Sequence, residues 1–354
     1  MLKFVVFVVC LFVSACAAIS CKDDQGKNVD WFIIYKVPKI LKSKNELMRA
    51  GVAYYYFDPS VQTGRLSTVG IDSPNQALAK TLNQIYSNHK SKSVAYLMYS
   101  DSWPHQKAKS NRGHTKGDVC LDKTSGFWLV HSVPQFPEYS NRSYLWPSNA
   151  KKNGQSLFCV SASVQSGSFR KIATALQYNW PWVYDYNVPD DIDAKVPALL
   201  DIANGQHIDV KEGYQDTFTS LAGQVFTVFG KGGKFNDDLY SNLVAPYFKQ
   251  NMFTETWQVG PSPKMESYCH KYKIENIKNV SLPGVKFPST LDHSKWAITY
   301  ESAGGQVCMG DINRQLAQKS RGGGMLCTRL PKLWKKFTTF VEEIENCHRV
   351  AWNF

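Results

Sequence analysis

No CxxC pair occurs anywhere in the 354 residues, and after the N-terminus no stretch approaches eighteen consecutive apolar residues without a charge. The first absence removes the usual cysteine-rich zinc module; the second removes a later membrane-spanning helix. Acidic residues are comparatively few, 29 Asp+Glu against 41 Lys+Arg, which leaves a formal charge of +12 and a sequence pI near 9.1. That balance favours an anionic partner, nucleic acid or an acidic membrane surface, and says nothing about fold. Core-forming residues are plentiful: 43% of the chain is hydrophobic, with 10 Trp, 18 Tyr and 19 Phe. A disordered chain would lack them, because disorder persists where too little apolar surface can be buried. At this length two structural units are expected, since single cores stop growing near ~250–300 residues.

The N-terminus reads as a secretory signal peptide over residues 1–18. Lys3 precedes the apolar run Phe4 to Val13, which is followed by the small residues Ser14-Ala15-Cys16-Ala17-Ala18. The run is shorter than the ~20 residues that a membrane span needs. Cys10 and Cys16 leave with it, so Cys21, Cys120, Cys159, Cys269, Cys308, Cys327 and Cys347 remain in an oxidising compartment, where pairing is favoured over metal binding. No metal and no cofactor is expected. An odd count leaves one thiol over, and Cys120 is the candidate, a few residues beyond a chemically interesting histidine. Asn141-Arg142-Ser143 and Asn279-Val280-Ser281 are glycosylation sequons.

Runs rich in β-branched and aromatic residues at 31–37, 52–57, 94–99 and 127–133 predict strands. Apolar spacings of three and four predict helices near 75–87, 168–178 and 332–346. The fold class is therefore α/β (α+β). A polar stretch from Asn204 to Gly223, with a fresh strand pattern at Gln224–Phe229, puts the boundary between halves there, giving 19–205 and 206–354.

An internal duplication supports two halves. His114-Thr115-Lys116 and His293-Ser294-Lys295 are each followed by a glycine twelve residues after the histidine, Gly126 and Gly305. In the same order come Asn153-Gly154-Gln155-Ser156-Leu157-Phe158-Cys159 and Arg321-Gly322-Gly323-Gly324-Met325-Leu326-Cys327, each leading into a helical pattern. His105-Gln106-Lys107 is a third His-x-Lys without the downstream glycine and strand, and reads as surface loop. On extended backbone, residues i and i+2 share a face, so each imidazole and its ammonium point into one cavity. Two histidines and two lysines supply a nucleophile at phosphorus, an acid for the departing oxygen, and positive charge around the phosphate. Which histidine attacks is left open.

The blocks Gly113-His114-Thr115-Lys116-Gly117, Phe127 to Pro134 (FWLVHSVP), Leu291-Asp292-His293-Ser294-Lys295-Trp296, Gly310-Asp311-Ile312-Asn313-Arg314 and Arg321-Gly322-Gly323-Gly324 resemble those of the deoxyribonuclease II family. The resemblance runs in order through nearly the whole mature chain. It implies two phospholipase D-like halves, each a mixed sheet flanked by helices, forming a pseudo-dimer in one chain. It also implies an acid endonuclease, lysosomal or secreted, that cleaves double-stranded DNA without metal to 3′-phosphate and 5′-hydroxyl ends, degrading DNA of apoptotic or engulfed cells. By position it implies His293, Lys295, His114 and Lys116 as catalytic residues and His131 as a further histidine near the site. The bridges it implies are Cys21–Cys159, Cys269–Cys347 and Cys308–Cys327.

One departure from the wider phospholipase D pattern stands out. An Asp is expected five residues after each Lys, where Leu121 and Tyr300 stand, with Asp122 and Glu301 one place later. Members of the narrower family generally lack that acid, and Asp311 and Asn313 are alternative groups to orient an imidazole in the second half. An unperturbed histidine, with pKa ~6.5, would be charged near pH 5 without tuning. No helix-turn-helix or zinc finger occurs, so DNA contact without sequence readout is expected. The competing readings are an inactive secreted DNA-binding homologue and a phospholipase D-like phosphodiesterase acting on lipid.

Overall fold

The computed structural model describes residues 18–301 and 305–347. The expected signal peptide lies outside them but for Ala18.

Two large sheets carry the fold. The first runs, from edge to edge, Val183–Asn187, Ala95–Ser100, Lys116–Leu121, Ser125–His131, Gln155–Ser163, Trp31–Lys36, Tyr54–Phe57 and Arg65–Leu66, and its ladders are antiparallel. The second runs Tyr214–Thr219, Val225–Lys231, Gly323–Arg329, Gln306–Gly310, Trp296–Thr299, Met252–Glu255, Ile274–Leu282 and Val285–Pro288. Its mixed character comes from the parallel pairing of Met252–Glu255 with Ile274–Leu282. The predicted strands in the first half all form.

Trp31–Lys36 is an unbroken buried strand because both of its faces are covered. Trp31, Ile33 and Tyr35 enter the large core shared by the two sheets, while Phe32 and Ile34 enter the outer core under the helix Ala77–Tyr86. Leu78, Leu82 and Ile85 of that helix recur at helical spacing and seal the outer face. On the outer face of the second sheet, Tyr240, Val244 and Ala245 do the same job.

The duplicated landmarks occupy matching places. Ser168–Asn179 follows a strand of the first sheet yet packs on Val225–Lys231 and Gly323–Arg329 of the second. Pro331–Thr338 follows a strand of the second sheet and reaches Phe57 of the first, where the Phe57 and Phe337 ring centroids are 5.7 Å apart. A Cβ on Gly126 would lie 2.7 Å from the Phe169 ring, and one on Gly305 would lie 2.8 Å from the Trp334 ring. Each glycine therefore makes room for an aromatic ring on the helix of its own half.

Three segments differ from the sequence expectation. The helix expected over 332–346 stops at Thr338, and Val341–Ile344 pairs antiparallel with Ile274–Leu282 instead. The β-branched and aromatic run Thr338-Thr339-Phe340-Val341 favours that exit, and strand pairing decides it. The polar stretch 204–223 contains the edge strand Tyr214–Thr219, whose alternating exposure leaves only Phe218 fully buried. Ile274–Leu282 escaped prediction because its apolar residues fall at 274, 277, 280 and 282, the first three at a helical spacing; a register shift between Ile277 and Asn279 puts Ile277 and Val280 both in the core.

Candidate active site

His114 and His293 each stand two residues before a lysine at the mouth of a strand. The residue between them turns the other way: Thr115 Oγ1 donates to Asp311 Oδ2 (2.8 Å) and Ser294 Oγ donates to Asp292 Oδ2 (2.8 Å). Both intervening side chains are buried, so the imidazole and the ammonium of each motif share the opposite side.

The backbone joins the two motifs across the halves. The His114 N–H donates to the Gly322 carbonyl (2.8 Å), and the His293 N–H donates to the Gly154 carbonyl (2.9 Å). Gly154 and Gly322 are corresponding residues of the second duplicated landmark, so each half supplies the carbonyl that holds the other half's histidine. Any side chain would obstruct this. A Cβ on Gly154 would lie 2.3 Å from Asp292 Oδ1, and one on Gly322 would lie 2.4 Å from the Asn179 carbonyl oxygen. Arg321 reinforces the first crossing, its Nε donating to the Arg112 carbonyl (3.0 Å) and its Nη2 to Asp101 Oδ2 (3.0 Å).

The two lysines are treated differently. Lys116 Nζ lies 2.5 Å from Asp101 Oδ1, both side chains being buried. Burial opposes ionisation of Asp101, but the charges of Lys116 and Arg321 outweigh it and hold its carboxyl well below the ordinary range. Lys295 Nζ instead donates to the His293 carbonyl (2.6 Å). Burial and the Lys116 charge pull Lys295 down to about 7.

Those charges also govern the imidazoles. His114 Nδ1 lies 2.6 Å from the Asp311 carbonyl oxygen, which can only accept, so the proton sits on Nδ1 and Nε2 carries the lone pair. Burial and then the Lys116 charge push its proton affinity well below the ordinary value, with Asp101 opposing and Lys295 adding to the fall. His293 packs against Trp257 with ring centroids 4.1 Å apart. Burial, Lys295 and Lys116 lower it to about 3. Each imidazole thus feels the lysine of the other motif as well as its own. Neither imidazole is untuned: burial beside two ammonium groups disfavours a third positive charge and lowers the proton affinity of both rings.

Buried acids surround this centre. Glu255 has no exposure, and burial followed by the Asp292 charge raises it well above the carboxylate range. Asp292 is raised by burial and accepts hydrogen bonds from Ser294 N (3.0 Å) and the Tyr35 hydroxyl. Burial lifts Asp311 to about 7. With an unfolded value near ~3.9, the stability contributed by protonated Asp311 is fully present below about pH 4 and lost as pH rises through 7. Asp311→Asn removes this term. The melting temperature of wild type relative to the variant is expected to fall by a few degrees between pH 5 and pH 8; a constant difference would show that Asp311 is ionised throughout.

His131 lies behind the site. Its side chain has no solvent exposure, its Nδ1 accepts the Val133 N–H (3.2 Å), and its Nε2 is 3.7 Å from Asp118 Oδ2. Burial first, then the charge of Lys116, lowers it to about 3, and burial raises Asp118. Asp311 orients the first-half His114 rather than a second-half imidazole. Asn313 is buried, its N–H donating to Gln318 Oε1 (2.7 Å). Asp101, Trp257, Glu255 and Arg321 were not singled out from sequence as site groups. No local motif marks the first three, and Arg321 carries only the signal of a glycine-rich turn.

His105 is on the surface, 2.8 Å from Glu138 Oε2. Asn141 is exposed, and Asn279 is half-buried in a strand, bonded to Glu343. Disulfides join Cys21 to Cys159, Cys269 to Cys347 and Cys308 to Cys327, while Cys120 is a free, buried thiol. Among the described residues no helix is long and apolar enough to cross a membrane, and no group of three or more His, Cys, Asp or Glu is placed to hold a metal ion.

Comparison with known proteins places the molecule among DNA-hydrolysing enzymes: the deoxyribonuclease II family model matches residues 20–347. The chain is 40% identical to plancitoxin-1 of Acanthaster planci over 95% of both chains. It is 38% identical to deoxyribonuclease-2-alpha of Rattus norvegicus over 93% of this chain and 95% of the relative. It is 33% identical to cell-death-related nuclease 7 of Caenorhabditis elegans, over 98% and 93% respectively. The chain belongs to the deoxyribonuclease II family.

Proposed function

We propose that this protein is an acid endonuclease that cleaves double-stranded DNA through His114 and His293, without metal, leaving 3′-phosphate and 5′-hydroxyl ends. The observation that carries the reading is the reciprocal bond of each histidine N–H to the other half's glycine carbonyl, which ties two His-x-Lys motifs into one centre. One imidazole nitrogen attacks phosphorus, forming a P–N bond as the bond to the 5′ oxygen breaks. The other imidazole, protonated, gives its proton to that oxygen. It then takes a proton from water, whose oxygen attacks phosphorus and breaks the P–N bond, releasing the 3′-phosphate. Lys116 and Lys295 hold the phosphate oxygens, and buried His131 acts through its neighbours rather than on substrate. The halves 19–205 and 206–354 work as a pseudo-dimer.

Acid conditions suit this chemistry. A bound phosphodiester brings negative charge beside Lys116 and Lys295, offsetting the repulsion that lowers the proton affinity of the imidazoles, so one can be protonated while the other stays neutral. The basic surface strengthens the grip, because each Lys or Arg contact to a phosphate releases counterions without reading sequence. A secreted or lysosomal site of action, on DNA from apoptotic or engulfed cells, fits the three disulfides and the cell-death name borne by one relative.

Nicking of supercoiled plasmid at pH 5 in excess EDTA is expected to match the rate without chelator, with a bell-shaped pH profile belonging to the coupled pair. Loss of all activity under chelation overturns the metal-free mechanism. A monotonic profile overturns the paired acid and base roles.

A further inference from the structure

Two buried lysines outside the proposed chemistry share an unusual setting. Lys36 ends the strand Trp31–Lys36, and its Nζ donates to the carbonyls of Ala150 (3.0 Å), Lys151 (2.6 Å) and Asn153 (2.7 Å). Lys231 ends the strand Val225–Lys231, and its Nζ donates to the carbonyls of Gln318 (3.1 Å), Lys319 (2.8 Å) and Arg321 (2.6 Å). Both are fully buried. An ammonium has three N–H donors, and here each set of three is spent on three carbonyls of one short turn. The correspondence is residue for residue: Asn153 and Arg321 open the second duplicated landmark, and the other two carbonyls precede each by the same steps.

Each turn leads directly into a glycine that holds a site histidine. The residue after Asn153 is Gly154, which accepts the His293 N–H; the residue after Arg321 is Gly322, which accepts the His114 N–H. We propose that Lys36 and Lys231 are positioning residues, each gathering the carbonyls of one turn so that the next glycine holds the histidine of the opposite half. Converging carbonyl dipoles repel one another, and a buried carbonyl left without a donor costs free energy. Without its ammonium the turn opens, and the glycine carbonyl moves with it. Burial lowers Lys36 to about 7 and Lys231 to about 8, so both remain charged under acid conditions.

This rests on the reading of His114 and His293 as the reacting groups, and the test separates the two. Lys36→Met and Lys231→Met in the full secreted chain keep the stem and remove the donors. Each is expected to lower kcat for plasmid nicking on the order of 10²-fold, the cost of a ~1 Å misplacement, with KM for DNA nearly unchanged. In 15N-histidine-labelled protein, Lys36→Met shifts the signals of His293 and spares His114, and Lys231→Met does the reverse. Unchanged kcat in a folded variant, or equal disturbance of both histidines, overturns the proposal. If a variant is not secreted, 15N-lysine-labelled wild type at pH 5 decides: protected ammonium signals beyond those of Lys116 and Lys295, assigned to Lys36 and Lys231 by three-bond couplings to their acceptor carbonyls, support the proposal, and their absence overturns it. Normal nicking by His114→Ala and His293→Ala would instead remove the functional reading, while the histidine signals still report on the lysines.

Discussion

His293→Ala and His114→Ala are each expected to abolish plasmid nicking at acid pH, by at least ~10²–10⁴-fold, while secretion and melting temperature stay close to wild type. The lower bound is what one positioned acid or base contributes; a lost nucleophile costs more. Neither effect should add fully to the other in the double variant, because both residues serve one bond-breaking event. Most of the stability is spared because the crossing bonds to Gly154 and Gly322 come from backbone N–H groups, which alanine keeps. The check is a nicking time course beside a thermal melt. Activity within a few-fold of wild type in either variant removes that histidine from its role.

Asp101→Ala is expected to damage the fold as well as the reaction. Asp101 bonds Lys116 at 2.5 Å and Arg321 at 3.0 Å, and the first pair is almost completely buried. Removing the acid leaves two cations facing each other without a counter-ion. Breaking a buried pair from one side typically costs ~3–5 kcal/mol, a large share of the ~5–15 kcal/mol by which proteins are stable. Asp101→Asn is expected to cost less, since its amide oxygen still accepts a hydrogen bond. Because the Asp101 carboxyl titrates far below the usual range, its contribution is present above the ordinary carboxylate pKa and survives at pH 5. A denaturant titration of the three proteins at pH 5 and pH 7 checks both statements. An Asp101→Ala midpoint equal to wild type would show that solvent already compensates the two cations.

Much of this was legible in sequence because local pattern and tertiary role coincide. The His-x-Lys motifs, their glycines twelve residues on, and the Gly turns ending in Cys159 and Cys327 are short and repeated, and repetition marks what one copy cannot. The elements that were missed depend on partners far away. Ile274–Leu282 is a strand because a register shift beside Val341–Ile344 converts a helical spacing into a buried face. Tyr214–Thr219 shows little apolar pattern because it is an edge. Lys36 and Lys231 read as ordinary strand-end charges, since three backbone carbonyls supplied by a distant turn leave no side-chain signature. The tuning of the imidazoles was likewise hidden: it requires Lys116 and Lys295, 179 positions apart in the numbering, to act on both rings at once.

The disulfide pattern has a consequence for how the molecule is tethered. Cys21–Cys159 closes within the first sheet's chain segment, and Cys269–Cys347 and Cys308–Cys327 close within the second's. Among the described residues no disulfide crosses from one sheet to the other, and only the main chain between them links the two. A protease cut in the exposed stretch around Asn204–Gln206 would yield two fragments that migrate separately on a denaturing gel without reductant, yet remain clasped in solution by the shared core and the exchanged histidine bonds. The two sheets are in that sense held to each other by packing and hydrogen bonds rather than by cross-links.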